Sequence, residues 1–373
     1  MSGSSAKGTC RWMSHELIIY DDARLTKASD IWAFGCVLVE VLSGRMPFFE
    51  LETNAQFVMS LFASGLATLD KVVSRNPLAQ AVGSAGASIL GVGDKPSVSD
   101  QQYDDLVHYF RYSSTAYAII IPGPDLLPLS PNGAKLVLKL FDLITDTHGY
   151  IARDDKRKEI IVAFRGSVSP ANFITDLAAA LVDWETKAPS VASPSGVKVH
   201  FGFQAAWRTV AETAVAGVTT EATLYPDYSI VICGHSLGGA LAVIASATLQ
   251  ATLPTRQVIR PWISLLDPRV GNAAFATWVN SLIDGSKSFR VVHSNDGVPT
   301  MVPEMFGFAH QGTEYWALSP HSPAATRICV EPGKLEDPKG SKKIFPSTGI
   351  NPAHLMASPP RIPAYRWPDT LIL

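Results

Sequence analysis

The sequence predicts an α/β protein with a largely parallel central sheet. Strand-like and helix-like segments alternate from residue 101 onward, a pattern typical of parallel strands covered by helices. Residues 228–234 (YSIVICG) are continuously apolar over the length of a strand, as expected where helices cover both faces of a sheet. Residues 237–252 follow almost at once, and their alanine and leucine content is typical of a buried helix.

The other elements of this region are predicted from hydrophobic periodicity. A charged turn at residues 154–158 separates two β-like runs and indicates a hairpin. One predicted helix ends just before Pro226, which cannot continue it. The predicted helices lie at 105–120, 202–224 and 273–283, and the predicted strands at 149–155, 158–166, 262–267 and 288–294.

Composition excludes several classes of protein. The chain has 31 basic and 33 acidic residues, a net charge of −2, so it lacks the excess positive charge typical of proteins that bind nucleic acid. With 47% hydrophobic and only 17% charged residues, it can bury a large core. The four cysteines form no C-x-x-C pair, and no acid-rich cluster suggests a calcium cage. We therefore expect no metal and no cofactor.

Two apolar stretches, 31–42 and 228–253, are candidates for a membrane span. The first is too short. The second is interrupted by His235, Ser236 and a glycine pair, so a buried strand followed by a buried helix explains it better. Because the amino terminus also lacks the apolar run of a secretory signal, the sequence as written predicts a cytoplasmic protein without a transmembrane segment.

The motif G-x-S-x-G occurs at residues 234–238, between a predicted strand and a predicted helix. In that context it predicts a tight, strained turn that holds the hydroxyl of Ser236 clear of the sheet. Glycine stands two residues before and after the serine because a Cβ there would come too close to the turn. A serine needs a base, an orienting acid and donors for the oxyanion before it can act as a nucleophile.

The partners of this serine follow it in an α/β-hydrolase, first the acid and then the histidine. Asp296 comes just after a predicted strand, at the carboxyl end where α/β sheets place functional groups, and Asp267 is a rival after another strand. Spacing alone does not choose among the histidines. The acidic candidates are Asp267, Asp284, Asp296 and Asp337, and the later histidines are His310, His321 and His354.

Six motifs occur in order between residues 160 and 316. They are IIVAFRGS, VKVHFGFQAAW, IVICGHSLGGALA, PRVGN, NDGVP and HQGTEYW. Together they resemble those of the class 3 (fungal-type) lipases, and the resemblance covers residues 101–355. It implies an α/β-hydrolase fold and the cleavage of carboxylic esters, typically triacylglycerols.

The resemblance also implies a role for each candidate residue. Ser236 matches the nucleophile, Asp296 the acid of the triad, and His354, in the stretch GINPAHL, the base. His310 matches a position that is not the triad base. Asp267 precedes PRVGN where the family usually has an uncharged residue, and we interpret it as non-catalytic.

An oxyanion hole and a lid are implied in the same way. The backbone N–H groups of Leu237 and Ser167 would form the hole, with the Ser167 hydroxyl as a further donor. Residues 169–177 match the family's lid, a short amphipathic helix that would cover the serine and open at a lipid–water interface. The lid residues are Asn172, Phe173, Ile174, Asp176 and Leu177.

The chain departs from the family pattern at its cysteines and in its tail. Cys329 matches a cysteine before EDP, but Gly340 stands where its partner is expected, and AYC reads AYA around Tyr117. We therefore expect no disulfide in the hydrolase domain. The tail after His354 is rich in proline and unlike the pattern. Secretion, which the family implies, disagrees with the missing signal.

Residues 8–65 resemble part of a protein kinase carboxy-terminal lobe. GTCRWMSHELI and LTKASDIWAFGCVLVEVLSGRMPF match the end of an activation segment and the buried helix after it. The Gly-rich loop, the ATP-positioning lysine, the H-R-D loop and D-F-G are all missing, so we expect no kinase activity. The partner of this fragment is unknown.

These observations predict four segments and one activity. The segments are a kinase-like fragment (1–66), a linker (67–100), a hydrolase domain (101–358) and a Pro-rich tail (359–373). The predicted activity is that of a serine ester hydrolase, a triacylglycerol lipase with a lipid or ester substrate. Two alternatives remain: an esterase for small or plant-wall esters, and an inactive hydrolase fold that serves as a binding or regulatory protein.

Overall fold

The computed structural model describes most of the chain between residues 91 and 344. The described ranges are 37, 91–117, 130–166, 180–185, 195–253, 262–265, 267–283, 287–318 and 322–344. The chain divides into two compact units, Met1–Lys71 with Pro360–Leu373 and Val72–Pro359. Apart from Val37, every described residue belongs to the second unit. Apart from Val37, the predicted kinase-like fragment (1–66) therefore lies outside the described residues, and so does the predicted tail (359–373).

Twelve strands within the described ranges build two sheets. They are β1 (Lys135–Asp142), β2 (Thr147–Asp154), β3 (Glu159–Phe164), β4 (Leu181–Asp183), β5 (Lys198–His200), β6 (Ser229–His235), β7 (Trp262–Leu265), β8 (Gly271–Asn272), β9 (Ser288–His293), β10 (Phe308–Ala309), β11 (Thr313–Ala317) and β12 (Thr326–Cys329). The larger sheet has the order β1-β2-β3-β6-β7-β9-β11-β12, and the smaller one β10-β8-β5-β4.

The larger sheet is parallel in its middle and antiparallel at both ends. All neighbours from β3 to β11 run parallel. The pairs β1–β2, β2–β3 and β11–β12 are antiparallel. The predicted α/β class with a mostly parallel sheet is therefore confirmed, and so is the predicted hairpin of β2 and β3. The strands β1, β11 and β12 and the small sheet were not predicted, because short or half-buried strands give no continuous apolar run.

Among the described elements, one helix precedes the large sheet, and the others follow or connect its parallel strands. The helices are α1 (Asp100–Thr115), α2 (Phe201–Leu224), α3 (Leu237–Thr252), α4 (Ala273–Leu282) and the short α5 (Val298–Met301). A capping box starts α1, because the Ser99 hydroxyl accepts a hydrogen bond from the Gln102 backbone and the Gln102 side chain accepts one from the Ser99 N–H. The Asn272 side chain caps α4 by accepting from the Phe275 N–H at 2.9 Å.

Alternation along the strands gives the large sheet two apolar faces. In β3, Ile161 and Ala163 belong to the cluster that packs with α1. Their neighbours Ile160, Val162 and Phe164 belong to the larger cluster with α2 and α3. All five side chains are fully buried. The central strands are thus covered on both sides, which explains why they read as continuous apolar runs.

Residues 91–99, at the end of the predicted linker, pack on the strands β11 and β12. Val92 is fully buried in a cluster with Trp316 and Cys329. The Val98 N–H donates to the Thr326 carbonyl at 3.1 Å. The packed part of the hydrolase unit therefore begins before residue 100.

No helix within the described residues is both long and apolar enough to cross a membrane. The apolar stretch 228–253 forms β6 and α3, as the sequence predicted.

Candidate active site

Ser236 occupies the turn between β6 and α3, at the carboxyl end of the parallel strands. Its backbone angles are φ 57° and ψ −124°, a region that residues other than glycine rarely adopt. A Cβ on Gly234 would collide with the backbone carbonyl of Gly238. Gly234 is therefore required because the chain folds back on itself around the serine, and Gly238 because a Cβ there would collide with the carbonyls of Phe164 and Arg165 at the end of β3. This geometry is that of a nucleophile elbow, with the serine as the last residue before the helix.

The end of β3 lies directly beside this turn. The register pairs Phe164 with Gly234 in parallel strands. A Cβ on Gly166 would lie 3.0 Å from the Ser236 Cβ and 2.8 Å from the His235 carbonyl oxygen. The chain that leads into Ser167 therefore starts in contact with the nucleophile. Leu237 is the first residue of α3, so its N–H has no partner within the helix.

Tyr117 connects the end of β3 to the turn that carries Ser236. Its hydroxyl oxygen accepts a hydrogen bond from the Gly166 N–H at 3.1 Å and lies 2.8 Å from His235 Nδ1. Burial raises the pKa of this hydroxyl well above its usual range, so it stays protonated and can donate to the imidazole. The sequence drew attention to this stretch only because a cysteine is missing beside it. The role of the tyrosine depends on two backbone segments that approach it from distant parts of the chain.

Asp296 is fully buried in the turn after β9. One of its carboxylate oxygens accepts a hydrogen bond from the Val298 N–H at 2.9 Å, and its own N–H donates to the His293 carbonyl at 2.9 Å. The turn is fixed to β11, because the Ser294 N–H donates to the Ala317 carbonyl at 2.7 Å. These contacts hold the backbone and one carboxylate oxygen of Asp296 in place.

The rival acid Asp267 lies in a different environment, where its charge acts on the buried guanidinium of Arg290. It is fully buried, and its Oδ2 lies 3.5 Å from the Gln311 side-chain nitrogen. His310, the residue before Gln311, is also buried, and its Nε2 lies 2.8 Å from the Pro299 carbonyl. Burial holds the pKa of His310 well below its usual range, so the ring is neutral and donates to that carbonyl.

A buried ion pair anchors the chain that runs toward the predicted base. Arg269, from PRVGN, makes two hydrogen bonds of 2.8 Å to the carboxylate of Glu336 and a third of 2.8 Å to the Val302 carbonyl. The His310 N–H donates to the same carboxylate at 2.9 Å. Neighbouring Asp337 accepts a hydrogen bond from Lys95 at 2.5 Å. Both acidic residues of the EDP motif thus fix this segment to the body of the domain.

Several predicted site residues lie outside the described residues. They are the oxyanion residue Ser167, the triad base His354, and the lid residues Asn172, Phe173, Ile174, Asp176 and Leu177. The structure describes three predicted site residues, Ser236, Leu237 and Asp296. Each of them follows the carboxyl end of a parallel strand.

The described cysteines, Cys233 and Cys329, are both free and buried. Gly340 stands where a disulfide partner was expected, and a Cβ there would lie 2.5 Å from Glu314 Oε1. A cysteine at this position would therefore displace the carboxylate that also accepts hydrogen bonds from Ser341. Burial raises the pKa of the Cys233 thiol to about 12, which makes it unreactive at neutral pH.

One group of three described side chains has ligand atoms close enough together to hold a metal ion. It consists of His108, Asp154 and Glu159. Glu159 begins β3, whereas the contacts around Ser236 involve the end of the same strand. The group therefore lies at the amino-terminal end of the parallel strands, whereas Ser236 lies at their carboxyl end.

Comparison with known families gives two matches along the chain. A family model described as "Lipase (class 3)" matches residues 161–306. This range includes Ser236 and Asp296. A model described as "Protein kinase domain" matches residues 2–99, a longer range than the 8–65 expected from the motifs. Its last part, residues 91–99, overlaps the segment that packs on β11 and β12.

Individual relatives agree with the first match. A lipase from Rhizomucor miehei is 34% identical over 259 residues, which are 68% of this chain and 68% of the relative. A solved triacylglycerol lipase from Penicillium expansum is 29% identical with a TM-score of 0.58, covering 69% of this chain and 94% of that one. A solved triacylglycerol lipase whose catalytic centre is a serine protease triad is 32% identical with a TM-score of 0.60, covering 69% and 95%.

Proposed function

The chain belongs to the class 3 lipase family and is a carboxylic ester hydrolase, and we propose that Ser236, Asp296 and His354 form its catalytic triad. The observation that carries the proposal is the strained turn at Ser236, with a positive φ of 57° between β6 and α3. Such strain persists in a fold when the surrounding structure imposes it, and it is concentrated at functional sites. A buried aspartate after β9 supports the second role. His354 has the support of its motif alone.

The proposed reaction passes through an acyl-enzyme. The Ser236 hydroxyl attacks the ester carbonyl while His354 takes its proton, and Asp296 stabilises the imidazolium. The N–H groups of Leu237 and Ser167 hold the oxyanion of the tetrahedral intermediate. The C–O bond then breaks, and the alcohol leaves with the proton from His354. Water then attacks the carbonyl of the acyl-enzyme while His354 takes its proton, and the carboxylic acid leaves as the serine regains its proton from His354.

We propose a triacylglycerol presented at a lipid surface as the substrate. Large apolar side chains are exposed on the active-site edge of the sheet, at the β1–β2 turn and on the segment that follows Asp296. Leu143 and Ile144 are 73% and 94% exposed, and Met305 and Phe306 are 79% and 56% exposed. A lipid–water interface would remove such surface from water, which favours binding there.

A lid formed by residues 169–177 belongs to the same proposal. Gly166, the last described residue before this segment, lies against the Ser236 turn. Phe173 and Ile174 would cover the serine in the closed state and face lipid in the open state. We expect Phe173→Asp to reduce the activity gain on an emulsion while the hydrolysis of a dissolved short-chain ester is retained. Leu224→Asp, at the far end of α2, is the matched control.

The test of the triad and of the substrate uses p-nitrophenyl esters from acetate to palmitate, followed by emulsified triacylglycerol. Ser236→Ala should abolish hydrolysis, because it removes the nucleophile. The matched control is Ser246→Ala, a buried serine on the same helix whose hydroxyl donates to the Ala242 carbonyl at 2.7 Å. It should keep its activity.

The chain-length profile separates the remaining alternatives. Preference for long chains, with a jump in rate above the solubility limit, is the expected result for a lipase. Preference for short or aromatic esters with smooth saturation would contradict the proposed substrate and favour the esterase. A folded wild-type protein with no more activity than Ser236→Ala would contradict the triad and favour a binding role.

A further inference from the structure

Three side chains of the types that bind metals lie close together, far from Ser236. His108 projects from α1, Asp154 ends β2 and Glu159 begins β3. One nitrogen of the imidazole and one oxygen of each carboxylate all lie within 4.8 Å of one another. Five residues of strand, about 17 Å, separate Glu159 from the end of β3 beside the nucleophile. The cluster is therefore separate from the proposed catalytic machinery.

Two polar atoms of these three side chains are buried without a hydrogen-bond partner among the described residues. They are Nε2 of His108 and Oε2 of Glu159. Glu159 is only 1% exposed. The nearest cation is the guanidinium of Arg157, whose Nε lies 3.4 Å from this oxygen as an ion pair. A buried polar atom without a hydrogen bond is costly, and a bound cation would satisfy both atoms at once.

Two tyrosines of α1 donate hydrogen bonds to the two carboxylates. The Tyr109 hydroxyl donates to Glu159 Oε1 at 2.7 Å, so Oε2 is the oxygen that remains for the ion pair with Arg157 and for a bound cation. The Tyr112 hydroxyl donates to Asp154 Oδ2 at 2.8 Å. Both rings pack edge-on against the His108 ring, with centroid distances of 5.2 and 5.3 Å. Groups that orient ligands in this way are a regular part of metal sites.

The charges around the cluster favour a cation. Three carboxylates lie near His108, those of Asp105, Asp154 and Glu159, against two guanidinium groups, those of Arg111 and Arg157, and Arg157 pairs with Asp105 at 2.9 Å. The Asn132 side-chain nitrogen lies 3.4 Å from Nδ1 of His108 and donates to the His108 carbonyl at 3.2 Å, whereas Nε2 lies 4.0 Å from Asp154 Oδ2.

We propose that His108, Asp154 and Glu159 bind one divalent transition-metal ion, of which zinc is the best fit. One imidazole and two carboxylates suit zinc, whereas calcium and magnesium prefer oxygen ligands alone. Bonds of about 2.0–2.1 Å place tetrahedral ligands about 3.4 Å apart, so the side chains must close by roughly 1 Å. The ion would tie α1 to the β2–β3 hairpin and so stabilise the fold without touching the substrate.

The test is zinc binding by full-length protein without a histidine tag. We expect equilibrium dialysis to find one tightly bound zinc ion per chain, zinc to raise Tm by a few degrees, and cobalt to give the absorption spectrum of a tetrahedral site. Glu159→Gln removes a ligand charge but can still accept from Tyr109, and His108→Gln changes a partly exposed ring. Each should weaken zinc affinity at least about tenfold.

The matched control is Asp105→Asn, which removes a nearby carboxylate that pairs with Arg157 but lies outside the cluster. It should bind zinc as the wild type does. Circular dichroism of the metal-free variants checks that each one folds. Absence of zinc binding in the wild type would overturn the proposal. Undiminished binding in both ligand variants, or an equal loss in Asp105→Asn, would also overturn it.

Discussion

The hydroxyl of Tyr117 lies 2.8 Å from Nδ1 of His235 and accepts a hydrogen bond from the Gly166 N–H at 3.1 Å. One partly buried side chain thus joins the residue before the proposed nucleophile to the residue before the proposed oxyanion donor. Because Tyr117 follows α1, the helix on one face of the sheet helps to fix the spacing between two loops at its edge. Tyr117 touches neither substrate nor reacting atoms in the proposed reaction, and we regard it as a positioning residue.

Tyr117→Phe should lower kcat/KM by about tenfold, because one hydrogen bond of about 1.4 kcal/mol no longer aligns the two loops. Ester hydrolysis and urea unfolding measure the two consequences. The free energy of unfolding should fall by about 1–2 kcal/mol, since a buried N–H loses its acceptor. Tyr150→Phe is the control, because its hydroxyl donates to the Tyr112 carbonyl at 2.8 Å, away from the site. Equal activity losses in the two variants would contradict a positioning role.

Asp296→Asn should lower kcat by about 10⁴-fold, because a neutral amide cannot stabilise the imidazolium of the base. The fold should survive, since the amide oxygen can still accept from the Val298 N–H. Asp267→Asn is the paired variant, with an expected loss of less than about tenfold. Steady-state kinetics on a dissolved ester compares them. A large loss in Asp267→Asn and a small one in Asp296→Asn would reverse the assignment of the acid.

Gly234→Ala should destabilise the domain by about 3 kcal/mol, because the added Cβ would collide with the Gly238 backbone. Activity should fall further than the folded fraction, since relief of the clash would move the serine. Chemical unfolding and kinetics at matched folded fraction measure both effects. Gly196→Ala is the comparison, because Gly196 has a φ of +79° and open space around it, so strain acts there without a clash. Similar results for both would show that the collision is unimportant.

Acid should weaken the domain in part through Glu336. Burial opposes its ionisation, but the hydrogen bonds from Arg269 and nearby positive charge outweigh this and hold its pKa well below the ordinary value of 4.5. A carboxyl with a lowered folded-state pKa contributes its full stability above the unfolded pKa and loses it as pH falls. The effect should therefore begin below about pH 4.5.

Glu336→Gln isolates this effect, because the other carboxyls titrate alike in both proteins. The difference in unfolding free energy between wild type and variant should shrink by up to about 1.4 kcal/mol per pH unit below pH 4.5. Urea unfolding between about pH 6 and pH 3.5 measures it. A difference that stays constant over this interval would rule out the proposed link to Glu336.

The sequence by itself predicted the elements whose signals are local. The strand before Ser236, the helix Leu237–Thr252 and the β2–β3 hairpin are all where periodicity and turn chemistry placed them. The strained turn was predictable in part, because Gly234 is required by a collision with Gly238 inside the motif, whereas Gly238 is required by the carbonyls of Phe164 and Arg165 at the end of β3. Family membership followed from ordered motifs, and the family matches confirm it.

Only the tertiary structure decided which distant groups meet. Tyr117 and His235 are 118 positions apart, Arg269 and Glu336 are 67 apart, and the pair Tyr109–Glu159 at the proposed zinc site spans 50. Their partners are set by strand order and helix docking, which long-range burial determines, and no local pattern encodes them. The contrast between Asp267, among buried charges, and Asp296, on a turn held by β11, arises in the same way.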